Sequence, residues 1–390
     1  MSFPIVLSNG PPPEGFQAIA DAGVTMIRTG RGDWSEATLD AQIAEERARL
    51  DAAAAHGLQC WVWLGTLTNL SPGADGAALR RVVDGLKDHR ALGAWKGHDE
   101  PRNPFNAALS VPPENLARGH RVVAALDPNH PLVIIQAPRG SIEGLVPYRP
   151  AFDIGGVDIY PISYPPGIHS DQRNKDLSVV GDMTQWIRRA AGTKPVWVTL
   201  QIAWSGVIPT KKKPDLVPRF PSNAELRFMA YQAIANGARG LAFFGGHVTA
   251  VQSPRDAQAG WNWTFWRESL EGLVRELSST ALAPALTAPA SKLKVQTQPP
   301  SDQIEIATRQ TAQFLYVFVV RRGGATSQIV VAGLPASLKG GEVLFEYVQD
   351  PPPPPHSPTK QKFRSVAVTG GAFRDWFAAH DARVYRFRRA

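Results

Sequence analysis

Cysteine is almost absent: Cys60 stands alone in 390 residues. That excludes a disulfide framework and any cysteine-built metal centre. Its setting, LQCWVWLG, marks it as a small buried side chain. Long apolar runs are missing too. Gly, Pro or a charge breaks each of them within about ten residues, short of the ~20 that a membrane-spanning helix needs, so no membrane partner is expected. The opening MSFPIVLSNGPPPEGF has neither the basic segment nor the apolar core of a secretion signal. It fits a cytoplasmic protein or a secreted one whose signal has been removed.

Charged residues are sparse at 19%, and with 43% hydrophobic residues the chain is no disordered polymer. The net charge of +8 is scattered. Its one dense run, TKKKPDLVPRF around Lys211–Lys213, lies between prolines as a solvated loop. Nucleic acid is therefore not expected as a partner, an anionic substrate stays open, and the oligomeric state is not fixed.

What the sequence does hold is alternation. Short apolar runs recur at 4–10, 24–30, 58–65, 92–101, 131–140, 153–162, 195–204 and 238–247, each closed by Gly, Pro or polar residues as buried parallel strands are. Between them lie helical patterns such as TLDAQIAEERARLDAAAAHG, which ends in glycine, and NAELRFMAYQAIANG, with Asn223 placed to cap it. This predicts an α/β fold, a (β/α)8 TIM barrel over residues 1–288. A doubly wound sheet would want a glycine-rich turn after its first strand, and SNGPPPEG is a poor one. From Lys292 short alternating strands follow one another without helices, which predicts a small all-β sandwich over 289–390. The DPPPPPHSPTK stretch inside it reads as a stiff surface loop. The connecting SSTALAPALTAPAS is too apolar to float free.

In such barrels the site lies at the C-terminal ends of the strands. Those ends supply Ser8 and Asn9, then Arg28, Arg31 and Asp33, then Trp63, and His98, Asp99 and Glu100 on the fourth strand. The remaining strands add Gln136 and Arg139, Asp158 and Tyr160, Gln201 and Trp204, and His247. Carboxylates can move protons at sugar oxygens, amides bond hydroxyls, and aromatic faces stack on sugar rings. Glu100, held between Asp99 and Pro101, is placed as a general acid, with Asp158 as its partner. Asn9, Arg28, Trp63, His98, Gln136, Tyr160, Gln201, Trp204, Trp261 and Trp263 are the expected carbohydrate contacts. Strand alternation sets Asp99 and Glu100 on opposite sides, with Asp99 bonding backbone amides or Arg102. Nothing recurs at metal-ligand spacing, so neither a metal nor another cofactor is expected.

The fourth-strand ending WKGHDEP resembles the DEP or NEP ending of clan A and related barrel glycoside hydrolases. GVDIYP, PVWVTLQ, GARGLAFFGG and the terminal FRDWFAAHDARVYRF resemble uncharacterised barrel hydrolases with an attached β-sandwich. The resemblance implies an O-glycoside hydrolase in which Glu100 is the general acid/base. It also implies a nucleophilic glutamate at the end of strand seven, where this chain has Gln201. Asp158 would then serve as base or nucleophile, or the substrate would supply its own neighbouring group. Alternatively the barrel binds sugar without cleaving it. A lyase or aldolase would want a lysine near a strand end, and only Lys96 is close.

Overall fold

The structure is a computed structural model that describes residues 2–102, 110–202, 211, 214–215, 217–245, 253–348 and 362–389. All eight apolar runs form strands: β1 Ile5–Leu7, β2 Met26–Gly30, β3 Gln59–Trp63, β4 Leu92–Asp99, β5 Leu132–Gln136, β6 Ile154–Ile159, β7 Val196–Gln201 and β8 Leu241–Phe244. They pair in parallel, each with its neighbours in sequence, and β8 returns to β1 to close the barrel. Alternation along each strand sorts side chains between lumen and outer layer. The lumen is filled by Val6, Met26, Trp61, Ala94, Val133, Ile135, Ile154, Trp197 and Ala242. Trp61 and Trp197 meet edge to face there, ring centroids 5.7 Å apart. Gly156 has no room for a side chain, since an added Cβ would come within 2.2 Å of Ile135.

Helices cover the outside. The first helical pattern gives Leu39–Ala55 and the second Asn223–Ala235, but the expected cap at Asn223 moves by one residue. Ser222 is the cap, in a capping box with Glu225, while the Asn223 side chain bonds the carbonyl of Ser269. The reciprocal bonds satisfy two otherwise orphaned backbone N–H groups. Between β5 and β6 the connection is a 3-10 helix, Val146–Ala151, rather than an α-helix. No helix among the described residues is long and apolar enough to cross a membrane.

After the barrel come two antiparallel sheets. One joins β9 Gln296–Thr297, β12 Ser327–Ala332 and β15 Ala372–Phe377. The other has the order β10 Ile304–Gln310, β11 Phe314–Arg321, β16 Ala382–Arg388, β13 Gly340–Val348 and β14 Lys362–Ala367. The larger sheet packs on the barrel: Tyr316, Phe318 and Val384 join Phe228 and Tyr231 of the helix Asn223–Ala235 in one core. Polar ties reinforce that face, with Arg322 paired to Asp182 and Glu305 (both 2.8 Å) and Gln232 bonded to Glu305 at 2.9 Å. The apolar connection is indeed anchored, with Leu282, Ala285 and Leu286 buried. The polyproline stretch lies outside the described residues.

Candidate active site

A cavity of about 570 Å³ opens at the C-terminal ends of the strands. A larger one, about 990 Å³, opens at the opposite end beside Phe3, Met26, Gln59 and Trp197. It has no carboxylate in its lining, so the smaller is the candidate site. Of the strand-end residues read from the sequence, the structure brings Ser8, Asn9, Arg28, Trp63, Asp99, Glu100, Arg139, Asp158 and Tyr160 to its walls.

The end of β4 departs from simple alternation. The pairing with β5 slips between Lys96 and Asp99, and Glu100 takes a left-handed backbone with φ 43° while its N–H still bonds Ile135 O at 2.9 Å. Such a conformation costs a non-glycine residue energy and persists where the surroundings enforce it, often at functional sites. The result corrects the expectation of opposite sides, since Asp99 and Glu100 both line the cavity. Asp99 bonds neither Arg102 nor backbone amides. Its Oδ1 accepts from Lys96 Nζ at 2.5 Å. Lys96 is buried in the lumen, its ammonium 4.3 Å from the Trp63 ring centroid and 5.6 Å from that of Trp61. Burial lowers its pKa, partly offset by Asp99.

Glu100 lines the same cavity as Trp61 and Trp63 but is not packed against them. It is exposed, and the tryptophans attend Lys96 and Arg28 instead. Its partner is the buried member of the pair. Asp158 projects from β6 with 6% exposure, and its Oδ1 has no hydrogen-bond partner among the described residues. Burial first, then the charge and hydrogen bond of Glu100, raise the Asp158 pKa well above the usual carboxylate range. Two facing carboxyls cannot both ionise cheaply, and burial selects Asp158 to hold the proton. Tyr160, also buried, is kept un-ionised by burial and by Asp158.

His169 completes the group. It arrives on the loop after β6, its Nε2 3.8 Å from Asp158 Oδ2 and its ring 4.2 Å from that of Tyr160. Arg139 bonds the His169 carbonyl through Nε and Nη2 at 3.2 and 3.1 Å. Burial, then Arg139, lowers the imidazole pKa to about 3, so the ring is neutral beside a protonated acid. Strand ends alone could not reveal a residue carried in by a loop. Lys96 and Thr199 were more legible: each lies an even number of positions from a lumen residue, Ala94 and Trp197 respectively.

Glu100, Asp158 and His169 also offer three potential ligand atoms within 4.8 Å of one another, a grouping that sequence spacing did not foresee because it draws on two strands and a loop. The set could hold a divalent ion. Arg28, Lys96 and Arg139 line the same cavity and would repel a cation, which favours a proton-sharing role.

Other expected contacts lie elsewhere. Gln136 is on the face of β5 opposite Val133 and Ile135, turned away from the lumen and buried without a hydrogen-bond partner among the described residues. Gln201 is fully buried, accepting from Ile162 N at 3.0 Å and donating to Ile162 O at 2.9 Å. It clamps the chain after β6 rather than meeting substrate. His98 bonds the Asp99 carbonyl at 2.9 Å. Trp261 is buried and donates to Asn9 O at 2.9 Å, and Trp263 packs on Gly15, so both brace the rim. Trp204 and His247 lie outside the described residues.

The Gln201 clamp yields a prediction. In Gln201→Glu a carboxylate would face the Ile162 carbonyl, and the lost donor leaves a buried acceptor unpaired. Urea unfolding should show a loss of about 1–3 kcal/mol, with no gain in hydrolysis. A variant as stable as the parent would contradict the clamp.

No family model matches the sequence, and no curated protein matches it. Solved structures do resemble it. A glycoside hydrolase family 5 protein from Bacteroides vulgatus superposes with a TM-score of 0.65 at 12% identity, covering 99% of this chain and 89% of that one. An α-amylase from Geobacillus thermoleovorans gives 0.58 at 10% identity, covering 100% and 99%, and a GH30 endoxylanase from Clostridium papyrosolvens gives 0.53 at 12%, covering 100% and 97%. The likeness is one of fold: the chain shares the architecture of barrel glycoside hydrolases that carry a C-terminal β domain.

Proposed function

We propose that the protein is an O-glycoside hydrolase acting on an oligo- or polysaccharide, with residues 1–288 as the catalytic unit and 289–390 as its supporting β domain. The observation that carries the reading is the Glu100–Asp158 pair: two carboxyls in one cavity, one exposed and one buried, the buried one pushed well above the usual carboxylate range by burial and by Glu100. Glu100 stands on the open side, where a glycosidic oxygen would sit, and delivers the proton. Asp158 holds the proton in the resting state and passes it to Glu100 when substrate binds. As Glu100 protonates the departing glycosidic oxygen, the freed Asp158 carboxylate attacks C1, and water, with Glu100 as base, then hydrolyses the glycosyl ester. Trp63 offers aromatic surface to a sugar ring, and Asn9 a polar group.

The carboxyl spacing bears on stereochemistry. Inversion needs a gap of roughly 6.5–9.5 Å to admit a water, whereas retaining pairs stand about 5–5.5 Å apart. One oxygen of each carboxyl lies within 4.8 Å of the other, which leaves no room for the water that inversion needs. Hydrolysis of a glycan substrate followed by NMR should therefore release product with the anomeric configuration retained; inverted product would refute this use of the pair.

One observation favours a second reading, a non-catalytic sugar-binding barrel. The position where the resembled enzymes carry a nucleophile is Gln201, and its amide is occupied by Ile162. A broad glycan screen separates the two. Turnover of any oligosaccharide supports the hydrolase, while tight binding without turnover across the panel supports the binding barrel.

A further inference from the structure

Arg28 has a free fork. Its Nε donates to Ser8 O at 2.9 Å and its guanidinium lies 5.1 Å from the Trp63 ring centroid, which together fix the plane of the group. Its two Nη groups make no hydrogen bond with any described residue, and no carboxylate lies within ion-pair distance of it. The nearby Asp99 is engaged by Lys96 at 2.5 Å. Asp158, the other acid on that side, forms no ion pair with it. Arg28 is thus a half-buried, oriented cation without a counter-ion.

Its position gives the cation a use. Arg28 and Trp63 form the wall between the catalytic cavity and a neighbouring cavity of about 540 Å³, and both residues line both spaces. A chain of sugars leaving the catalytic carboxyls toward the second cavity must pass this wall. We propose that the Arg28–Trp63 wall is a subsite for a uronic-acid residue, whose carboxylate takes the two free Nη groups while its ring lies against the indole. A planar carboxylate matches the guanidinium fork with two parallel hydrogen bonds, a geometry that neither a neutral hydroxymethyl group nor a point charge reproduces. An anion would also give Arg28 the ion-pair partner that no described carboxylate supplies. This inference rests on the carbohydrate reading of the cavity and names the substrate class that the reading leaves open.

The test uses the full chain and calorimetric titration with oligosaccharides bearing glucuronate, galacturonate or mannuronate, each as free acid and as methyl ester. At low salt at least one free acid should bind about tenfold or more tighter than its own ester, and the ratio should shrink as salt screens the pair. In Arg28→Gln the ratio should collapse towards one, and in Arg28→Lys it should be intermediate, since charge is kept and the fork lost. The ratio within each variant is its own control for folding. Equal affinity of acid and ester for the parent overturns the inference, as does a preference that survives in Arg28→Gln. If neutral oligosaccharides are bound or cleaved without any acid preference, only this inference falls. If no glycan of either kind is bound or cleaved, the carbohydrate reading falls and takes this inference with it.

Discussion

Replacing Glu100 by Gln should lower kcat/KM on a glycoside with a poor leaving group by about 10²–10⁴-fold, the usual worth of positioned acid–base help. Glutamine keeps the shape of the side chain and its place after the slipped pairing of β4, so the loss reports the proton and not the fold. An activated aryl glycoside, whose leaving group departs without protonation, should suffer much less. Asp158→Asn should also be impaired, because the amide can still bond Glu100 but cannot supply or hold the shared proton. The parent's activity should fall as pH rises through the raised Asp158 pKa, and that limb should shift or vanish in Asp158→Asn. A Glu100→Gln enzyme that retains more than about a tenth of parental kcat/KM on the poor leaving group would remove Glu100 from the acid role.

The features legible in the sequence were those set by local periodicity. Eight apolar runs gave eight strands because each must bury both faces, and Gly, Pro or polar residues closed each run. The acid at the end of β4 was legible for the same reason: a charged cluster ending a buried run can only emerge at the barrel mouth. What failed depended on geometry beyond one strand. Gln136 is one residue from the lumen-facing Ile135, and that single step turns it to the outer layer. Asp99 and Glu100 share the cavity because a slipped register and a left-handed residue interrupt the alternation. His169 is eleven positions beyond Asp158 in a loop, and no periodicity announces where a loop will fold back. Gln201 was read as a departure from the resembled enzymes; its bonds to Ile162 show what the amide does instead.

Asp158 and His169, buried side by side, should leave opposite marks on stability. Asp158 has a folded pKa raised above 3.8, so the folded state binds its proton more tightly than the unfolded chain does. The stability this contributes is full at low pH and is lost as pH rises through the raised value. His169 behaves the other way. Its folded pKa is lowered from 6.5 to about 3, so the unfolded chain takes up the proton first and stability falls as pH drops through that window. At roughly 1.4 kcal/mol per pKa unit, the His169 effect reaches at most about 5 kcal/mol at the acid end. Between about pH 4 and 6.5 the two slopes oppose each other in the parent. Single variants should separate them. Asp158→Asn should gain stability relative to the parent as pH rises above about 4, and His169→Gln should gain relative to the parent as pH falls below about 6.5. Packing losses, such as the His169 ring contact with Tyr160, shift each curve by a constant and leave its slope alone. Urea unfolding across pH 4 to 9 reads both differences, and a variant whose curve stays parallel to the parent's would mean that its side chain titrates alike in the folded and unfolded states.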